Sequence, residues 1–211
     1  KMANKDLTVI ASGGDGDGYA IGMGHTIHAL RRNMNMTYIV MDNQIYGLTK
    51  GQTSPSSAKG FVTKSTPKGN IEKNVAPLEL ALSSGATFVA QGFSSDIKAL
   101  TKMIEDAIHH DGFSFVNVFS PCVTYNKVNT YDWFKEHLTS IDDIEGYDIT
   151  DKQLAMKTVL DHESLVKGIV YQDTTTPSYE SQISELEHEA LAKRDIHITE
   201  ETFNDLTAQF L

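Results

Sequence analysis

Leu7-Thr8-Val9-Ile10-Ala11-Ser12-Gly13-Gly14-Asp15-Gly16-Asp17-Gly18 is the stretch on which the reading of this chain turns. Its first six residues form a short apolar run of the kind a buried strand carries. Residues 18–33 then suit a helix, with Ile21, Ile27 and Leu30 able to share an inner face and Arg31 and Arg32 set in the last turn, where the dipole favours cations. The glycines between strand and helix let backbone approach a ligand closely, and a helix N-terminus attracts an anion such as phosphate. Two aspartates at the same turn would repel a bare phosphate. They make sense when a divalent cation stands between carboxylate and phosphate, because Mg2+ takes its oxygens from one or two carboxylates, phosphate and water. A Gly/Asp-rich turn without a ligand is the simpler alternative. A dinucleotide fingerprint needs glycine three positions after Gly16, where Tyr19 stands, and a P-loop needs a glycine followed by lysine, which the cluster lacks.

Working outward, Thr37–Asp42 reads as a second buried strand, 77–84 as a helix opening at Pro77, Ala86–Ala90 as a strand, and Ser114–Ser120 as another. Residues 96–110 form the best amphipathic helix, with Ile97, Leu100, Ile104 and Ile108 on one face and Asp96 as N-cap. Strand and helix alternate, so the expected fold is α/β, a mostly parallel sheet with helices on both faces and ligands at the carboxyl ends of the strands. Residues 43–76 interrupt the alternation with four glycines, two prolines and five lysines. A loop that long inside a compact domain is read as functional because it begins at a strand end. Asn43 begins it, with 26 residues between Gly16 and Asn43. A strand–helix–strand unit returns the chain to the same sheet edge over about that distance, so Asn43 can offer its amide oxygen to the cation held by Asp15, with a nearby backbone carbonyl completing the set.

The chain has 211 residues, 40% hydrophobic and 22% charged, with net charge −10. That charge argues against an electrostatic footprint for nucleic acid. No apolar run approaches the ~20 residues that span a bilayer, and the N-terminal residues show no signal-peptide pattern. The single cysteine, Cys122, makes no internal disulfide, and the chain is expected in the cytoplasm. Residues 1–120 carry a balance of +1 and residues 121–211 a balance of −11. The expected division is therefore a binding domain over 1–126 and an acidic extension over 127–211, which is either a solvated surface or a docking face for a basic partner. In the extension Tyr131-Asp132-Trp133-Phe134 gives an aromatic anchor, 151–161 and 180–194 read as short helices, and Leu165–Tyr171 as a strand. His25 and His28, and His109 and His110, lack a third ligand in reach and are read as helix packing and a dipole contact rather than zinc ligands.

Gly14-Asp15-Gly16 followed at this distance by Asn43 resembles the thiamine diphosphate signature. The wider wording resembles the β subunit of 2-oxoacid:ferredoxin oxidoreductases, nearest to the 2-oxoglutarate type. It runs through Ile27-His28-Ala29-Leu30-Arg31-Arg32-Asn33, Tyr38-Ile39-Val40-Met41-Asp42-Asn43, Ile45 to Pro55, and Ser120-Pro121-Cys122-Val123-Thr124-Tyr125-Asn126, and covers most of 7–126. The resemblance implies a thiamine diphosphate-binding fold, the diphosphate half of the cofactor site. Asp15 and Asn43 would bind Mg2+ through side chains and Ile45 through its carbonyl. Gly14, Gly16 and Asp17 would line the diphosphate, with Gly47, Leu48 and Thr49 closing over it. The implied reaction is oxidative decarboxylation of a 2-oxoacid by coenzyme A, with electrons passed through iron–sulfur chemistry to ferredoxin; the α subunit supplies the carboxylate that activates the aminopyrimidine. Lys50 is the candidate for the distal carboxylate of 2-oxoglutarate, the alternative being contact with cofactor phosphate or solvent. Cys122 matches a ligand of a [4Fe–4S] cluster, which takes about four thiolates. The rest are expected in an N-terminal Cys-x-x-Cys segment, so the sequence is expected to be the carboxyl portion of a longer subunit.

Two other readings compete. A nonoxidative thiamine diphosphate-dependent decarboxylase subunit would have no use for Cys122 in its Ser-Pro-Cys-Val-Thr-Tyr-Asn setting. A noncatalytic Mg-nucleotide-binding module with a decayed site is opposed by the intact Asp15 and Asn43.

Overall fold

Parallel pairing of the first two strands sets everything that follows. β1 (Ile10–Gly14) lies beside β2 (Met36–Asp42) with Ile10 opposite Thr37 and Gly14 opposite Met41. The next residue of each strand is an aspartate, Asp15 and Asp42, so the register itself brings two carboxylates together. The structure, a computed structural model, describes residues 1–187, 189–195 and 197–210. Its six strands run in the order β1-β2-β4-β3-β6-β5, with β3 (Phe88–Phe93), β4 (Phe113–Phe119), β5 (Thr139–Ser140) and β6 (Val166–Gln172).

Crossover direction places the helices. α1 (Met23–Arg32) joins β1 to β2, and α2 (Pro77–Ser83) follows the long loop and carries the chain past β4's position to β3. α3 (Ile97–His109) runs the opposite way, from β3 back to β4, so right-handed connections put it on the other face. The core divides accordingly. Leu30, Leu78, Leu82 and Phe115 share one cluster, while Met103 and Ala107 pack with Phe88, Val116 and Val118 in another. β3 and β4 are buried along their whole length, as expected of strands covered on both sides.

The region beyond residue 126 joins this architecture. β6 pairs antiparallel with β3, and α5 (Lys152–Asp161) sends Ala155 and Val159 into the first cluster. α4 (Tyr131–His137) sets Phe134 against Phe93 and Phe119, the last residues of β3 and β4, with the Phe119 and Phe134 rings stacked at 4.5 Å. It thereby plugs the carboxyl ends of β3 and β4. A last helix, α6 (Glu200–Ala208), is solvent-exposed.

Several expected elements shift. β1 starts at Ile10 rather than Leu7, because only Ile10–Gly14 pair with β2, and it extends through the glycines. The expected helix over 18–33 is two pieces, a π-helical turn over Asp17–Ile21 and then α1. In that turn the Gly22 N–H donates to the Asp17 carbonyl five residues back, at 2.8 Å, and a Cβ on Gly22 would lie 2.2 Å from that oxygen. The wide turn rotates Ile21 out of the inner face expected for it, to 92% exposure. Ile97 is likewise exposed, since α3 buries the face bearing Met103 and Ala107; Asp96 does cap that helix, accepting from the Ala99 N–H. The helix expected over 180–194 is a set of 3-10 turns at Glu180–Gln182, Ser184–Leu186 and Leu191–Lys193, with residue 188 outside the described residues. Leu186 is the one apolar side chain these turns bury, too little to hold a continuous helix on a core.

Phe134→Ala should lower the unfolding free energy by about 3–5 kcal/mol. Thermal and denaturant unfolding should show a single transition moved down; a sheet whose stability is unchanged would mean the extension is energetically separate.

Candidate functional site

The turn after β1 buries its first carboxylate. Asp15 and Asp42 are 3% and 2% exposed, at neighbouring strand ends. The expected long loop supplies what holds them. Ser54 and Ser56 each place a hydroxyl 2.5 Å from Asp15 Oδ2, and Ser56 Oγ also lies 2.7 Å from Asp42 Oδ1. Asp15 Oδ1 accepts no hydrogen bond from the described residues. Ser57 Oγ donates to the Gln44 carbonyl at 2.6 Å and accepts from the Ser54 N–H, so the Ser54-Pro55-Ser56-Ser57 run is knitted to the end of β2. Further along, buried Asn70 donates to the Ser57, Ala58 and Glu72 carbonyls, which orders the rest of the loop.

Behind the carboxylates lies a buried polar chain across the sheet. The Tyr19 hydroxyl donates to Asn117 Oδ1 at 2.6 Å, and Asn117 Nδ2 donates to Gln91 Oε1 at 2.9 Å and to Asp42 Oδ2 at 3.4 Å. Gln91 in turn donates to the carbonyls of Ser164 and Val166, so the network reaches β6. Burial, and next the neighbouring Asp15 carboxylate, push Asp42 up to about 7, against hydrogen bonds from Ser56, Asn117 and the Gln44 N–H that favour its anion. Tyr19 is held well above the usual phenol range, by burial first and then by Asp42. Ser56 has one hydroxyl proton for two carboxylate oxygens, an arrangement that is comfortable when Asp42 carries a proton and donates to it.

The expected ligands gather in part. Asn43 Oδ1 accepts the Ile45 N–H at 3.0 Å, so Asn43 and Ile45 share one tight turn, with Gln44 between them at φ 59°. Gly16 lies against the Tyr46 ring, where a Cβ would come within 2.1 Å of Cε1. Burial, then Asp15 and Asp17, raise Tyr46, which places its hydroxyl in the field of both carboxylates. Asp17 turns its Oδ2 back onto the Gly14 N–H at 2.8 Å. Gly47 faces half-buried Cys122: a Cβ there would lie 3.6 Å from Sγ, so the expected cluster ligand sits beside the expected cofactor turn. Leu48, Thr49 and Lys50 form an exposed tip closed by the Tyr46–Gln52 bridge, with Leu48 fully exposed and Lys50 at φ 76°. None of the three touches Asp15.

This donor set fits a hard cation. One oxygen of Asp15, an amide oxygen of Asn43 with a lone pair to spare, and the Ile45 carbonyl are all oxygen ligands, which suit Mg2+. A cation there also relieves the repulsion between Asp15 and Asp42. Among the described residues no trio of His, Cys, Asp or Glu is gathered as zinc would require. Sequence reasoning missed Ser54, Ser56, Asp42 and the Tyr19–Asn117–Gln91 chain. Serines flanking a proline read as ordinary turn residues, and Asp42 reads as a strand terminus.

Fold and turn together are those of a thiamine-dependent enzyme: the family model for the thiamine pyrophosphate enzyme C-terminal TPP binding domain matches residues 1–118. The family model for the C-terminal part of the pyruvate ferredoxin oxidoreductase beta subunit matches residues 122–188. A 2-oxoacid:ferredoxin oxidoreductase subunit beta from a Sulfolobus species is 42% identical over 193 residues, 87% of this chain and 63% of the relative. The 2-oxoglutarate oxidoreductase subunit KorB of Mycobacterium tuberculosis is 46% identical over 125 residues, 59% of this chain and 34% of the relative. A solved 2-oxoglutarate:ferredoxin oxidoreductase from Magnetococcus marinus, with 2-oxoglutarate, coenzyme A and succinyl-CoA bound, superposes with a TM-score of 0.86 at 36% identity, over 97% of this chain and 69% of that one. The chain belongs to the β-subunit family of the 2-oxoacid:ferredoxin oxidoreductases. It spans just under two thirds of the length of the curated relatives it matches most fully.

The buried carboxyl pair sets an expected pH dependence. Asp42 binds its proton more tightly folded than unfolded, so its contribution to stability is full below the ordinary value of 3.8 and is lost as pH rises to about 7. Asp42→Asn, which mimics the neutral acid, should remove that decline. Thermal unfolding of both proteins without added metal, from pH 4 to 8, measures it; parallel curves would show that Asp42 titrates as in the unfolded chain.

Proposed function

We propose that this chain is the cofactor-binding part of a 2-oxoacid:ferredoxin oxidoreductase β subunit, which holds Mg2+ and thiamine diphosphate for the coenzyme A-dependent oxidative decarboxylation of a 2-oxoacid. The observation that carries the reading is the oxygen donor set of Asp15, Asn43 and Ile45 at the carboxyl ends of β1 and β2, within a matched thiamine pyrophosphate domain. 2-Oxoglutarate is the favoured substrate, ahead of pyruvate, supported by relatives named KorB and by the 2-oxoglutarate bound in the solved neighbour.

Each residue has a task in this reading. Asp15, Asn43 and the Ile45 carbonyl would hold Mg2+, which would supply positive charge for the diphosphate. Gly14, Gly16 and Asp17 line the diphosphate; the missing side chain at Gly16 leaves room for Tyr46 and for close backbone approach. Gly47, Leu48 and Thr49 close over it from the loop tip. When bound, the cofactor supplies the carbon chemistry and the electron sink. Cys122, beside Gly47, would be one thiolate ligand of a [4Fe–4S] cluster, which would supply the electron-transfer chemistry toward ferredoxin. The α partner provides the remaining cofactor contacts and covers exposed apolar residues near the site such as Leu48 and Val123. Residues 1–126 form the cofactor domain and 127–211 the extension, and the complex works in the cytoplasm. Among the described residues no helix is long and apolar enough to cross a membrane.

Calorimetric titration of thiamine diphosphate into the complex with its α partner should give saturable binding that requires both Mg2+ and Asp15, and that disappears in Asp15→Ala. No binding to the wild-type complex would falsify the cofactor assignment. Lys50→Met should reduce kcat/KM for 2-oxoglutarate about tenfold to a hundredfold, the worth of a charge-assisted hydrogen bond, and leave pyruvate unaffected. An unmoved substrate ratio would remove Lys50 from substrate selection.

A further inference from the structure

The strongest unexplained feature is the pair of serine hydroxyls on one carboxylate oxygen. Asp15 sits between glycines, which cannot restrain its side chain. What fixes its rotamer comes from residues 39 and 41 positions away, Ser54 and Ser56, both buried. Both hydroxyls converge on Oδ2, and the second of them is itself anchored on Asp42. Oδ1 receives nothing from the described residues, so the two oxygens of Asp15 are inequivalent: one is tied to the loop and one is free.

We propose that Ser54 and Ser56 are positioning residues that make Asp15 a one-oxygen ligand and thereby select Mg2+ over Ca2+. This rests on the cofactor reading above. The physical basis is coordination geometry. Mg2+ demands a near-ideal octahedron at about 2.0–2.1 Å and takes a single oxygen from each carboxylate, whereas Ca2+ accepts 6–8 oxygens at about 2.3–2.6 Å and readily takes both oxygens of one carboxylate. A carboxylate whose second oxygen already accepts two hydroxyl hydrogen bonds presents only the first. Freed of both hydroxyls, Asp15 can turn and offer two oxygens, which suits the larger ion. Outer partners of a ligating carboxylate are known to tune the metal in this way. Ser57 provides the internal comparison, because its hydroxyl holds the same loop through the Gln44 carbonyl without touching Asp15.

The test is metal titration of the complex with its α partner in the presence of thiamine diphosphate, reading dissociation constants for Mg2+ and for Ca2+ by calorimetry. Wild type, Ser54→Ala, Ser56→Ala, the double variant, Ser56→Thr and Ser57→Ala are compared. The expected result is Mg2+ binding weakened about 10–100-fold in the double variant, the usual cost of losing an outer-shell partner. Ca2+ should weaken much less, so the Mg2+:Ca2+ affinity ratio falls; Ser56→Thr should keep the hydroxyl and the ratio, and Ser57→Ala should leave the ratio at the wild-type value. Equal losses for both ions, or an unmoved ratio, overturn the inference while leaving the cofactor reading standing. A wild-type complex that binds neither ion overturns that reading and takes this inference with it.

Discussion

Two carboxylates held out of water at adjacent strand ends are the constraint around which this molecule is organised. Asp15 follows β1 and Asp42 ends β2, and the parallel register leaves them no choice but to be neighbours. Buried like charges are costly unless something neutralises or bridges them. Three devices answer that cost. The Ser56 hydroxyl from the long loop bridges the pair, the Tyr19–Asn117–Gln91 chain satisfies the inner side of Asp42, and burial raises Asp42 toward its neutral form. The divalent cation proposed at Asp15 would relieve the same cost.

The long loop is therefore part of the site and not a connector. Its Ser54–Ser57 run crosses back over the strand ends, and Asn70 ties the returning limb to it through the Ser57 and Ala58 carbonyls. The exposed tip at Leu48–Lys50 stands on this base, closed by the Tyr46–Gln52 bridge and by hydrogen bonds between Thr49 and Gln52.

The carboxyl ends of the strands are used unequally. Phe134 stacks on Phe119 and packs on Phe93, which seals the ends of β3 and β4 with aromatic rings. The ends of β1 and β2 lie instead under the Ser54–Ser57 run, and Ser120, leaving β4, donates its N–H to the Asp42 carbonyl at 2.8 Å, steering the chain toward Cys122. One polypeptide thus carries its plug and its site side by side, and the acidic extension contributes to the sheet through β6 and to the polar network through the carbonyls that receive Gln91.

Sequence alone determined the alternation of strands and helices, the Gly-Asp-Gly turn and the return to Asn43, because apolar periodicity and glycine placement are local signals. It also indicated that the loop over 43–76 had work to do, since no periodicity explained its length. It misjudged the inner face of the first helix, because the π-helical turn held by Gly22 changes the phase and Ile21 turns outward; no residue count reveals a change of phase. It read 180–194 as helix, where the absence of a core-facing stripe leaves short turns. Only the tertiary structure decided which side chains hold Asp15. Ser54 and Ser56 are distant in sequence and chemically ordinary, and they acquire a role only when the loop folds back over two strand ends. Hydrogen bonds across some forty residues depend on where the backbone goes, and that is settled by register and packing rather than by any local pattern.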